Sequence, residues 1–443
     1  MNAPLLVLVG FVVVPTLAIM TAASAKKDWI CRGLLWGSFI APLMLGTEVN
    51  PDASSSVSAH DALRAALPLV CVVVALTASR PVWVRSDLVE GMMTAFLLIV
   101  GFSATWSIDP KATVLKATLF TLQWIALFAV VRRYRSFNDV VRALAHLTHL
   151  LLISVAITAI IFPGKALTGN PARLQGAYPL ISANIIGLLA DIGLLALICG
   201  IHPAWLARRA SLVPLLAVTY IAELMGARTR AALAVGVLLC LFALLSRARQ
   251  RPGFAVGLTF AGVLGALVLA TRVDSTLAFL SRGQDAAQLK SMTGRTTVWQ
   301  AGLDLWHQHQ LLGSGYYSGH RFGIVSLLYH GASQSNLDNM WLEVLVDLGV
   351  LGAIPLIAFV VLGLRRLIRA LRQVDPALRA FAMSVSALCF VASFFNPSLQ
   401  SNSLPAVILG TFLLAPAMRR QPLAPKEATL VITPPPRQEP VGL

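Results

Sequence analysis

Charge is scarce in this chain: 12% of its 443 residues are Asp, Glu, Lys or Arg, against 57% that are hydrophobic. A soluble domain carries about 25% charged residues to cover its surface, so an ordinary soluble fold is excluded and a polytopic membrane protein is expected. Acidic residues are the scarcer sign, 19 against 35 Lys and Arg. That excess alone would suggest nucleic acid, but a nucleic-acid binder gathers its base on one soluble face. Here the basic residues fall between apolar runs, as topology signal and as attraction to anionic lipid heads, so no nucleic-acid partner is expected.

Cysteine is also sparse. Cys31, Cys71, Cys199, Cys240 and Cys389 all fall inside apolar runs and form no CxxC pair. They read as small apolar residues, which excludes a disulfide framework and a zinc site. Soluble repeats are absent too, and the proline-rich end "PLAPKEATLVITPPPRQEPVGL" lacks apolar periodicity, as a disordered tail would.

What the chain has in abundance is apolar runs long enough to cross a hydrocarbon core of about 30 Å. They lie near 4–23, 29–47, 62–79, 89–106, 113–131, 140–162, 183–201, 212–227, 230–246, 254–271, 340–363, 379–396 and 403–418. The runs are continuous rather than alternating, so helices and not a closed barrel are expected. The fold class is therefore all-α, a polytopic transmembrane bundle of roughly twelve to thirteen spans. The first run has no basic region before it and reads as a retained helix. The expected organisation is a membrane domain over 1–271, a large loop over 272–338, a second membrane domain over 339–420 and a tail over 421–443.

Base follows every second span: Lys26 and Lys27, Arg80 and Arg85, "RRYR" at 132–135, Arg208 and Arg209, "RARQR" at 247–251, "RRLIRALR" at 365–372, and Arg419 with Arg420. By the positive-inside rule these loops are cytoplasmic. The N-terminus is then outside, the C-terminus inside, and the large loop outside.

That loop is far longer than an ordinary connection, which marks it as functional. Its stretch Thr293 to Gly331 holds two Trp, four His and two Arg. Residues 295–309 read as an amphipathic helix with Val298, Trp299, Gly302, Leu303 and Trp306 on one side, and "GSG" at 313–315 supplies a stop. Such a helix would lie at the membrane interface, where indole rings settle, or would simply pack the loop down.

Arginine also occurs externally, where the positive-inside rule disfavours it: Arg173, Arg228 and Arg230, Arg295, and Arg321. Guanidinium forks match phosphate oxygens bidentately, so grouped arginines at helix mouths point to an anionic ligand. A membrane enzyme that uses a lipid diphosphate needs such groups to hold the donor and to stabilise the leaving diphosphate. They require no metal, no external carboxylate cluster would bind one, and no cofactor is expected. Ionisable groups within spans carry a functional prior. Asn184 and Asp191 share a helical face, Asp191 as a hydrogen-bonding group or a direct participant, and Glu223 sits where it could orient Arg228. His146 and His149 read as packing residues.

"GRTTVWQAGL", then "LLGSGYYS", then "QSNLDNMWLEVLVDLGVLGAIPL" resembles the signature region of the O-antigen ligase and polymerase superfamily. Upstream, "ARLQGAYPLISANIIGLL" and "ARTRAALAVGVLL" are similar to further elements of that family, so the likeness covers roughly 165–360. The resemblance implies a metal-independent membrane glycosyltransferase that takes glycan from an undecaprenyl-diphosphate donor on the periplasmic face. Where ligases of the family carry His-Asn before the last motif helix, this chain has Asp338 and Asn339. The departure favours the polymerase branch, which makes exopolysaccharide or O-antigen, over a ligase to lipid A core or a protein O-oligosaccharyltransferase.

The resemblance makes Asp338 the first candidate general base, an N-cap being its alternative role. His330 is the other candidate base. Arg173, Arg228, Arg230, Arg295 and Arg321 would hold the donor diphosphate, with Asn184, Glu223, Trp299, His320 and Asn339 in support and His320 placed to contact phosphate. Partners would be the lipid-linked donor, a glycan acceptor, membrane lipids and a chain-length regulator or export complex. The rival from another class is a transporter or flippase for the lipid-linked glycan; such proteins show halved repeats, and none is detectable here.

Overall fold

The computed structural model describes residues 87–132, 134, 136–168, 172–177, 181–201, 206, 209, 211–248, 295–323, 337–395 and 403–415. The spans expected near 4–23, 29–47, 62–79 and 254–271, the candidate base His330 and the tail lie outside them. Among the described residues the protein is a helical bundle: α1 Leu88–Phe102, α2 Pro110–Val131, α3 Phe137–Ile161, α4 Ala183–Cys199, α5 Leu212–Ala227, α6 Arg230–Ala248, α7 Arg295–Gln308, α8 Met340–Leu371, α9 Pro376–Ala392 and α10 Leu404–Leu414. The only described sheet is a two-stranded antiparallel hairpin, β1 Leu167–Thr168 with β2 Arg173–Leu174.

Local sequence sets the helix starts. The side chains of Asp87, Asp109, Ser136, Asp375 and Ser403 each accept a first-turn amide, which satisfies donors the helix itself leaves orphaned. Pro110 and Pro376 stand in the first turn, where a missing N–H costs nothing. Gly200 closes α4 in the left-handed region.

Helices α1, α2, α3 and α8 are long and apolar enough to cross a membrane, and α4, α5, α9, α10 and the middle of α6 are shorter apolar helices. Leu98, Phe102, Ile160, Val218, Leu238 and Ile354 are exposed on their outer faces. In water such surfaces would aggregate; in a bilayer they meet acyl chains. The protein is thus an all-α polytopic membrane protein. Its interior is closed by aromatic packing, Trp124 against Phe359 at 5.7 Å and Phe120 against Phe96 at 6.2 Å.

Hydrogen bonds fix which helix ends lie together. At one end Arg132 pairs with Glu90, and Arg366 pairs with Asp87 and donates to Leu413 O at 2.7 Å. At the other, Ile108 N donates to Ser314 O at 3.1 Å and Met340 N to Ser393 O at 3.0 Å. The connections 103–109, 162–182 and 228–229 and the start of α8 therefore share the end opposite to Arg132 and Arg366.

Helix α8 departs from the expected 340–363 span. It runs on to Leu371 and is broken at Gly349, whose φ of 62° and ψ of −162° are not helical. Residues 350–371 alone reach about 33 Å at 1.5 Å per residue, which suffices to span. Residues 340–348 form a separate short helix above them.

Candidate active site

The break in α8 is the joint on which the site is built. An unbroken helix would bond Val350 N to Val346 O and Leu351 N to Asp347 O. Instead, Val346 O accepts from Ser314 N at 2.9 Å and Asp347 O from Gly315 N at 2.8 Å, while Val350 N and Leu351 N donate to Gln310 O at 2.9 Å and Leu311 O at 3.1 Å. Loop residues 310–315 thus fill the gap with four backbone bonds. Gly313 and Gly315 have φ of 69° and 99°, and a Cβ at Gly313 would strike the Asp347–Leu348 peptide. Glycine is required there for both conformation and close approach.

Helix α7 packs on the short upper helix. Val298, Ala301, Gly302 and Leu305 are buried against Leu337, Leu342 and Val346, with Trp299, Leu303 and Trp306 partly buried beside them. The buried stripe is rotated from the expected one, because the face meets protein. Each indole reaches a carbonyl, Trp299 Nε1 to Leu337 O at 2.8 Å and Trp306 Nε1 to Gln310 O at 3.2 Å.

This packing sets Arg295 against Asp338: the guanidinium donates to the carboxylate at 3.1 Å. Asp338 is not the N-cap of α8. Asn339 takes that role, its Oδ1 accepting from Trp341 N at 3.1 Å and Leu342 N at 3.3 Å. Asp338 has φ of 51°, a region that costs a non-glycine residue strain of roughly 1–3 kcal/mol and that clusters at functional sites. Burial raises its carboxyl above the ordinary range, and the Arg295 charge and hydrogen bond pull it part of the way back.

A second basic group lies on α4 and α5. Arg173, on β2, donates Nε to Ala227 O at 3.1 Å and one terminal nitrogen to Asn184 Oδ1 at 2.9 Å. One fork thereby joins the last turn of α5 to the first turn of α4, and burial lowers its pKa from the usual value. Arg228 follows at once, as the left-handed C-cap of α5 with φ of 52°. Arg230 opens α6. Glu223 is buried, and neither of its oxygens has a hydrogen-bond partner among the described residues; the same holds for Asp191, whose carboxylate occupies the space beside Gly236. His149 is buried, with Nδ1 2.7 Å from the Tyr220 hydroxyl.

The third group forms around Asp347, a residue sequence reasoning did not single out. Its carboxylate is fully buried and accepts from Tyr317 N, His320 N and His320 Nδ1, each at 2.8 Å. These bonds fold Gly319–Gly323 into a π-helical turn carrying His320 and Arg321. Burial opposes charge on His320, but the Asp347 and Glu343 carboxylates and the hydrogen bond outweigh it and push its pKa up to about 9. From α2, Lys116 Nζ sits 5.5 Å from the Tyr317 ring centre. Thr113, one turn earlier, donates to Tyr316 O at 2.8 Å, and Tyr316 N donates to Ser103 Oγ at 3.1 Å.

The structure therefore joins Arg295 with Asp338 and Trp299 with the backbone just before it, Arg173 with Asn184, and His320 with Asp347. Asp347 and Lys116 were missed; the available signal was a carboxylate and a lysine inside otherwise apolar runs. Among the described residues no group of His, Cys, Asp and Glu could hold a metal ion.

No curated protein matches the chain. Residues 215–357 match the family model described as O-Antigen ligase, a stretch that includes Arg228, Arg230, Arg295, the 310–315 joint, Asp338 and Gly349 and leaves out Arg173, Asn184 and Lys116. That match covers about a third of the chain and makes this stretch similar to the O-antigen ligase family, which supports a membrane protein of ligase/polymerase-type glycan processing.

Proposed function

We propose that the protein is a membrane glycosyltransferase that polymerises polyprenyl-diphosphate-linked repeat units, with undecaprenyl as the lipid, on the periplasmic face of the bacterial inner membrane. The observation that carries this reading is Asp338: strained, half-buried, paired with Arg295, and relieved of capping by Asn339. An acceptor hydroxyl oxygen attacks the anomeric carbon of the donor sugar. The bond from that carbon to the diphosphate oxygen breaks, and its electron pair leaves with the diphosphate. The Asp338 carboxylate takes the hydroxyl proton as attack proceeds.

Arg295, Arg173, Arg228 and Arg230 meet the charge that grows on the leaving diphosphate. Sidedness is supported by the basic residues Arg132 and Arg366, which lie at the end opposite to the site. A ligase or a protein oligosaccharyltransferase shares this chemistry and differs in acceptor.

The test is to give the purified protein in lipid an extracted undecaprenyl-diphosphate-linked repeat unit and nothing else, then to separate products by size. A ladder of longer lipid-linked glycans is the expected result. Transfer only after lipid A core or a protein is added would make it a ligase or an oligosaccharyltransferase, and silence with every acceptor would return the transporter.

A further inference from the structure

Polymerisation as proposed above uses two lipid diphosphates at once. The donor gives up its diphosphate, while the acceptor repeat unit keeps its own and offers a hydroxyl from the far end of its glycan. A ligase handles one. The basic residues at the site end of the bundle fall into groups with different supports. Arg173, on β2, is bonded to the ends of α4 and α5 and Arg228 caps α5, while α4 packs on α3, α5, α6 and α9. Lys116 sits on α2, which packs on α1 and α10.

Resting on that polymerase reading, we propose that Lys116, His320 and Arg321, gathered around Tyr317, form a second diphosphate subsite that anchors the lipid-linked acceptor. Four observations support it. Lys116 is a lysine within an apolar helix long enough to span, a placement that is costly unless the charge is used.

The other supports concern how the cations are held. Tyr317 has φ of 66°, strained for an aromatic residue, and it keeps that shape through its amide bond to Asp347. The His320 ring stands edge-on to Tyr317 at 5.6 Å, and Lys116 lies over the same ring. Asp347 is fully engaged by three donors, and its bond to Nδ1 directs Nε2, the other ring nitrogen of His320, away from the carboxylate. Asp347 is a positioning residue here; Lys116, His320 and Arg321 are the phosphate ligands.

The experiment uses the full chain in lipid nanodiscs with glycan-free undecaprenyl diphosphate as probe, counting bound lipids per chain. In parallel, transfer is measured to a lipid-linked repeat unit and to the same oligosaccharide without lipid. Wild type is expected to bind two probe molecules, and Lys116→Ala one. Lys116→Ala is also expected to lower the preference for lipid-linked over lipid-free acceptor at least tenfold, with Lys116→Arg restoring most of it.

A single bound probe in wild type, two in Lys116→Ala, or an unchanged acceptor preference would each overturn the subsite. Wild type that binds two probes and transfers to neither acceptor would refute the polymerase reading while upholding two lipid sites. Asp347→Asn, if it folds, is expected to weaken the second probe's binding and leave the first.

Discussion

Consider Gly349→Ala. At φ 62° and ψ −162° the residue occupies a region essentially reserved for glycine, where a side chain costs about 1–3 kcal/mol. Its Cβ would also strike the Leu311 carbonyl. The alternative is a straightened helix in which Val346 O and Asp347 O take back the amides of Val350 and Leu351, and there alanine is better than glycine by about 1 kcal/mol. Together these tilt the balance between broken and continuous helix by about 2–4 kcal/mol, or roughly 30- to 1,000-fold at 1.4 kcal/mol per decade. Against this stand the two additional backbone bonds of the broken form, each worth about 1 kcal/mol net, and the three bonds to the Asp347 carboxylate.

The expected outcome is a protein that inserts and accumulates normally, with unchanged or slightly higher helix content, but whose glycan transfer in the reconstituted assay falls, by at most the roughly 30- to 1,000-fold shift in that balance. Hydrogen exchange should locate the cause. The amides of Ser314, Gly315, Tyr317 and His320 should lose protection, while those in the middle of α1 and α2 do not. Wild-type transfer with protected loop amides would show that the break at Gly349 does not hold the loop.

Three further outcomes can be checked. Asp338→Asn should lower kcat by about 10²- to 10⁴-fold, the usual range for a lost general base, with little change in KM for donor; full output would move the base elsewhere, and His330→Ala is the variant to compare. Arg173→Lys should lose nearly as much transfer as Arg173→Ala, because an ammonium cannot bridge Ala227 O and Asn184 Oδ1 as the fork does; rescue by lysine would reduce the site to a point charge. Pairing with Asp347 pushes the His320 pKa up to about 9 from an ordinary value of 6.5, so it contributes up to about 3 kcal/mol that is fully present below pH 6.5 and lost as pH rises through 9. The thermal midpoint of wild type in detergent should fall over that window relative to His320→Gln, and parallel curves would contradict the pairing.

The helices that carry the site were legible because lipid imposes one rule on every span. Apolar runs at 89–106, 113–131, 140–162, 183–201 and 212–227 became helices with nearby bounds. The amphipathic helix over 295–309 was also legible, but its register was not: two tryptophans suggested the lipid-facing stripe, whereas the face that is buried meets Leu342 and Val346. "GSG" was legible as a stop but not as a partner, since the amides of Ser314 and Gly315 bond to residues more than thirty positions away. Asp347 and Lys116 looked like stray charges in apolar runs, because what gives them meaning is loop geometry brought to them from another part of the chain. The Arg295–Asp338 pair was legible only as two separate candidates.

The joint at Gly349 is made from peptide groups alone, and this has a consequence for how sequences built on it can diverge. A backbone ladder does not read side chains. Gln310, Leu311, Ser314 and Val350 contribute to it only an N–H or a C=O, which every residue but proline supplies. Variation there leaves the loop anchored, while Gly313, Gly315 and Gly349 are confined by conformation. Side chains at those positions are thus free to change without disturbing the seat that holds the two segments of α8 to the loop.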